Sequence, residues 1–116
     1  MQARVPSASC RGFVFLNCRL TAESGVKDGS MYLARSAGQA DCYDNVTYVN
    51  CQMASVVRPE GWLGSPAPNP SAPTATAGWK EYGTTGVSTA SRNAYGLRLT
   101  AAQAEPFASK AAVLGW

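Results

Sequence analysis

Apolar and polar positions alternate in two short segments that match each other, Val14-Phe15-Leu16-Asn17-Cys18-Arg19-Leu20 and Thr47-Tyr48-Val49-Asn50-Cys51-Gln52-Met53, at an offset of 33 residues. Each reads as a strand whose successive side chains face opposite ways. A third strand-like run, Ser30-Met31-Tyr32-Leu33-Ala34-Arg35, lies between them. A repeated strand that cannot bury its own apolar face must stack on its neighbour, which is the logic of a β-solenoid. Such stacking sets Asn17 over Asn50 and Cys18 over Cys51. An asparagine recurring at a corner can bond its amide to the next one, so a structural ladder is expected there. Cys18 and Cys51 read as small buried hydrophobes.

Beyond Met53 the pattern changes. Pro59-Glu60-Gly61-Trp62 ends regular pairing, because Pro59 has no N–H to donate. Residues 63–77 are, after Leu63, Pro, Ala, Ser, Thr, Asn and Gly without periodicity, a surface loop. Trp79-Lys80-Glu81-Tyr82-Gly83 is a short strand candidate, followed by a Thr- and Gly-rich loop through Ser91. Thr100-Ala101-Ala102-Gln103 has the form of a capping box. Pro106 forbids one uninterrupted helix, so a turn at 101–105 and a helix from about Pro106 to Leu114 are expected, packed as a lid.

Composition narrows the class. The chain has 116 residues, 46% apolar and 15% charged, which allows a single folded domain and excludes disorder. Eleven Gly and seven Pro favour short strands and turns. A net charge of +3, with basic residues scattered and not interleaved with aromatics, argues against a nucleic-acid surface and permits an acidic polysaccharide as partner. No stretch is long enough to span a membrane, and Met1-Gln2-Ala3-Arg4-Val5-Pro6 is not an apolar signal region.

Histidine is absent, which excludes Ser-His-Asp, Cys-His and His-ligated zinc sites within this sequence. The four cysteines, Cys10, Cys18, Cys42 and Cys51, form no C-x-x-C pair, and no metal or cofactor is expected. Cys10 and Cys42 occupy parallel places in polar turns. A bridge between them is conceivable in an oxidising compartment, with two free thiols the preferred reading. Asp41 and Asp44 are the closest carboxylate pair and read as a solvated turn, Asp44 bonding local backbone. A calcium site there lacks any loop signature.

Taken in order, Gly12-Phe13-Val14-Phe15-Leu16-Asn17-Cys18, Tyr32-Leu33-Ala34-Arg35, Asp44-Asn45-Val46-Thr47-Tyr48-Val49-Asn50-Cys51, Pro59-Glu60-Gly61-Trp62, Glu81-Tyr82-Gly83 and Leu99-Thr100-Ala101 resemble the C-terminal part of the pectin methylesterase family, bacterial branch. The resemblance runs from about Gly12 to Trp116. It implies an all-β fold, a right-handed single-stranded parallel β-helix in its C-terminal portion with a short C-terminal helix. In that reading residues 1–116 form one unit with strand rungs over about 12–62, a loop at 63–77, strand and loop at 78–99 and a helical segment at 100–114. It also implies hydrolysis of galacturonan methyl esters in a secreted or periplasmic setting. Family members use two aspartates, one as nucleophile and one as general acid/base, with glutamines as an oxyanion hole.

Those residues belong to segments ahead of the Gly-Phe-Val-Phe strand, and here only Met1 to Arg11 precede it, without any Asp. The catalytic pair is therefore expected to be missing, and the chain inactive alone. One site residue carries over by resemblance. The family's Tyr-Leu-x-Arg-Pro-Trp motif places its Arg at Arg35, where it holds the nucleophilic carboxylate ionised. Ser36 and Ala37 depart from the Pro and the Trp of that motif, and Ala37 removes an aromatic platform for sugar. A non-catalytic polysaccharide-binding or structural module, and a relative acting on another ester or thioester, are the alternatives. The uncovered strand at Phe13–Leu20 is expected to favour self-association.

Overall fold

The computed structural model describes residues 5–7 and 10–115; Met1–Arg4 and the terminal Trp116 of the resemblance lie outside them. Six strands appear in order: β1 (Phe13–Leu16), β2 (Arg19–Leu20), β3 (Asn45–Val49), β4 (Gln52–Met53), β5 (Gly78–Tyr82) and β6 (Gly96–Arg98). A helical segment follows, made of α1 (Ala101–Ala104), a 3-10 turn (Glu105–Phe107) and α2 (Lys110–Leu114). Strands β1-β3-β5-β6 form one parallel sheet, and β2-β4 form a second parallel pair.

The 33-residue repeat sets the register. Val14 pairs with Thr47, Leu16 with Val49, and Leu20 with Met53. A third copy extends it, since Asn45 pairs with Gly78 and Val49 with Tyr82, again 33 residues apart. At the end of each copy the chain turns through a left-handed residue: Asn17 (φ 55°), Asn50 (φ 54°) and Gly83 (φ 68°). Asparagine and glycine adopt that conformation at least cost.

The expected asparagine ladder is corrected by this geometry. Asn17 and Asn50 are exposed, and their side chains make no hydrogen bond among the described residues. Their backbone N–H groups donate to Val49 O at 2.9 Å and Tyr82 O at 2.8 Å, so backbone angle, not amide stacking, selects the residue type.

The fold class is also corrected. The molecule is a small α/β-type domain with two separate parallel sheets, and neither closes into the all-β, right-handed parallel β-helix that the resemblance implied. The reason lies in the third run. Ser30–Arg35 pairs only through isolated bridges, Met31 with Val57 and Ala34 with Trp62, so no third continuous sheet is built. The long connection before β5 is rich in Pro, which interrupts ladders, and the one before β3 contains Gly but no Pro.

The four-stranded sheet is covered on both faces. On one, Val46, Tyr48 and Trp79 pack against Leu33, Ala34, Met53, Val57 and Trp62. Trp62 stacks on Trp79 at 5.5 Å between centroids, and Phe15 stacks on Tyr48 at 4.8 Å. The Trp62 indole fits only because residue 96 is glycine, where a Cβ would fall 1.8 Å from Trp62 Nε1. On the other face Val49, Leu99, Ala104 and Phe107 gather Val14, Leu16, Leu97 and Val113. Every residue of β3 is consequently buried, whereas the alternating pattern implied one polar, open face.

The helical segment is held at both ends. Thr100 Oγ1 accepts from Gln103 N and Gln103 Oε1 accepts from Thr100 N, the reciprocal box read from the sequence. Pro106 sits inside the 3-10 turn, and α2 begins only at Lys110, capped by Ser109, so the helix expected from Pro106 starts later. Arg11 Nη1 donates to Ala112 O at 3.0 Å and to Val113 O, tying α2 to the chain ahead of β1.

The left-handed corner makes a testable demand. Asn50→Ala should destabilise the protein by about 1–2 kcal/mol, while Asn50→Gly should match the parent. Urea unfolding of the three chains checks this.

Candidate functional site

Arg35 stands between two fixed points. Leu33 and Ala34 are fully buried, Leu33 N donates to Gly61 O at 2.6 Å, and Leu63 N donates to Ala34 O at 3.1 Å. On the other side Ser36 is buried, its hydroxyl donating to Asp44 Oδ2 at 2.7 Å and accepting from Gly38 N at 3.0 Å. The Arg35 backbone is thus anchored while its side chain is exposed, and it enters no ion pair among the described residues. A fixed stem with a free guanidinium can receive a carboxylate in a bidentate pair.

Asp44 departs from the solvated turn read from the sequence. It is 4% exposed and accepts from the Ser36 hydroxyl and from Asn69 N at 3.0 Å. Asn69 completes the clasp by donating through Nδ2 to Cys42 O at 3.0 Å, so the 63–77 loop is stapled to the approach to β3. Ser36 supplies the hydroxyl that makes Asp44 structural. Asp41 is exposed and takes no part in that clasp. All four cysteines are free, Cys10 and Cys42 included. No cluster of three or more His, Cys, Asp or Glu suited to a metal occurs among the described residues, and no helix among them is long and apolar enough to cross a membrane.

Two charged residues of β5 escaped the sequence reading. The sequence presents Lys80 and Glu81 as members of an ordinary short strand, yet they are 0% and 2% exposed. Glu81 pairs with Arg92 at 2.6 Å, accepts from Thr84 Oγ1 at 2.7 Å, and both partners' side chains are 2% exposed. Arg92 also donates to Arg58 O and Pro59 O, each at 3.2 Å, pinning the 83–95 loop against the second layer. Lys80 Nζ donates to Asn45 Oδ1 and to Gly78 O at 2.7 Å, 5.9 Å from the Phe107 ring centre. The 33-residue offset from Thr47 to Lys80 was the available signal, since it places Lys80 on the face that the helical segment covers.

Neither group is available for chemistry. The Glu81 carboxylate borders a pocket of about 230 Å³ with Thr84, Thr89 and Arg98, but its charge is met by Arg92. Elsewhere among the described residues the Ser55 hydroxyl donates to Asp28 Oδ1 at 2.5 Å at the surface, and Arg35 presents an exposed guanidinium outside any ion pair. The sequence has no significant match to a protein-family model, a curated protein or a solved structure.

Burial strips the Lys80 ammonium of water and pulls its pKa from 10.5 down to about 8. Between those two values the unfolded chain binds more protons, so the contribution of Lys80 to stability rises with pH across that window and is lowest below it. Burial acts oppositely on Cys51 and Tyr48. Both pKa values are raised, so the unfolded chain loses those protons first and stability falls as pH climbs above 9 and 10 respectively. The Lys80 contribution is isolated by subtraction. The stability difference between the parent and Lys80→Met should shift in the parent's favour by on the order of 2–3 kcal/mol from pH 8 to 10.5.

For the ion pair, Arg92→Met should cost about 3–5 kcal/mol because it strands Glu81 in the interior, and adding Glu81→Met should recover most of the loss. Denaturant unfolding of the double-mutant cycle measures both steps.

Proposed function

We propose that this chain is part of a carboxylic ester hydrolase acting on methyl-esterified galacturonan, contributing a carboxylate-binding arginine and no catalytic activity of its own. The observation that supports the reading is Arg35, whose backbone is anchored on both sides while its guanidinium is exposed and outside any ion pair among the described residues. This position is the one that the pectin methylesterase resemblance gives to the arginine holding the nucleophilic carboxylate. Within this chain, Asp44 and Glu81 are committed to Ser36 and Arg92. The reacting carboxylates must then come from residues other than these, in the secreted or periplasmic setting where pectin is met.

A second reading, a non-catalytic binder of acidic polysaccharide, is favoured by one feature. Ala37 beside Arg35 offers a methyl group where the family pattern has an indole, leaving charge and not ring stacking as the main contact.

Methanol release from methyl-esterified pectin by the purified chain should equal that of a heat-denatured control. Galacturonate oligomers should bind weakly, with affinity falling about tenfold in Arg35→Ala and fading at high salt. Methanol release above the control and abolished by Arg35→Ala would refute the inactive-alone account. Oligomer binding unaffected by Arg35→Ala would refute the role given to that residue.

A further inference from the structure

The two cysteines of the repeat lie next to each other at a corner where Cys18 is half-buried and Cys51 buried. Leu16 pairs with Val49 on one side of the corner and Arg19 with Gln52 on the other, so Cys18 and Cys51 are brought side by side from adjoining parallel copies. Gln52 N donates to Cys18 O at 2.9 Å, closing the backbone contact between them. Both thiols point toward the end of β1. Cys18 Sγ donates to Leu16 O at 3.4 Å, and Cys51 Sγ donates to Phe15 O at 3.3 Å. In-register parallel neighbours have Cα atoms about 4.8 Å apart, inside the span of about 4.4–6.8 Å that a disulfide bridges.

We propose that Cys18 and Cys51 form a thiol pair that low-molecular-weight disulfides oxidise to an intramolecular cross-strand bridge. The two residues divide the work by exposure. Cys18 is half-buried and lines an apolar groove of about 470 Å³ between β1 and α2, together with Val14, Leu16, Val113 and Leu114. Cys51 is fully buried, and burial raises its pKa, so it does not meet the oxidant first. The Cys18 thiolate attacks one sulfur of the oxidant disulfide, forming a mixed disulfide and releasing one thiol. The Cys51 thiol, giving up its proton, then attacks Cys18 Sγ and displaces the second thiol. Two cysteines lose two electrons and two protons, and the oxidant disulfide is reduced to two thiols. The bridge closes a 33-residue loop and fixes the edge strand β1 to the buried strand β3, which restricts the unfolded chain.

The test is exposure of the reduced, full 116-residue chain to glutathione disulfide under native conditions, followed by acid quench, alkylation and non-reducing peptide mapping. A Cys18–Cys51 linked peptide is expected, lost on treatment with dithiothreitol. The oxidised chain should melt several degrees higher, by roughly the shift that a mid-length loop closure gives. Cys18→Ser should prevent the cross-link and leave Cys51 unmodified. Should that variant misfold, mapping of the unsubstituted chain still decides the matter. A bridge involving Cys10 or Cys42, a persistent glutathione adduct on Cys18 without transfer to Cys51, or disulfide-linked dimers through Cys18 would each overturn the proposal.

Discussion

Strand β3 carries the constraint on which everything else rests. All five of its residues are buried, it hydrogen-bonds in parallel to β1 and β5, and it has apolar layers above and below. A parallel strand in that situation must satisfy its backbone on both edges and fill both faces. The 33-residue period does the first by keeping every copy in register. The second requires two different covers. The bridged segments around Leu33 and Trp62 pack on one side, and the helical segment with Phe107 packs on the other.

That double burial explains the polar interior. Thr47 and Lys80 share a register position on the face turned toward the helical segment, and neither can reach water. Lys80 is accommodated by Asn45 Oδ1 and the Gly78 carbonyl. Asn45 in turn donates to Cys10 O at 2.7 Å, so one buried lysine is linked through a single amide to the segment ahead of β1. On the opposite face Glu81 meets Arg92, and the guanidinium reaches on to the carbonyls at Arg58 and Pro59. Interior charges of this kind cost desolvation, and they specify which loops sit where more than they add stability.

The same architecture separates structural from available chemistry. Asp44 and Glu81 serve the fold through the Ser36 clasp and the Arg92 pair, whereas Arg35 projects from a backbone fixed by its neighbours. Anchoring a free cation on a rigid stem lowers the entropy lost when a carboxylate binds. The edge of the sheet behaves differently. Among the described residues β1 has a strand partner on one side only, Phe13 is 48% exposed, and the groove beside it opens onto Cys18.

The sequence by itself determined the local and periodic features. The Asn-Cys repeat set the parallel register, because a strand that recurs with identical spacing can place like residues side by side. The Thr100 and Gln103 box set the start of α1, because its two hydrogen bonds need only residues three apart. The prominence of Arg35 came from a resemblance to a family motif, not from any pattern in the chain. Only the tertiary structure decided whether Ser30–Arg35 would pair as a strand or as isolated bridges, whether the sheets would close, and which side of β3 stays polar. Those outcomes depend on layers contributed by residues dozens of positions away. Trp62 must find the space left by Gly96, Asp44 must find Asn69, and Phe107 must cover Lys80. A strand's alternation records which residues share a face, but what covers that face is written elsewhere in the chain, and only packing brings the two together.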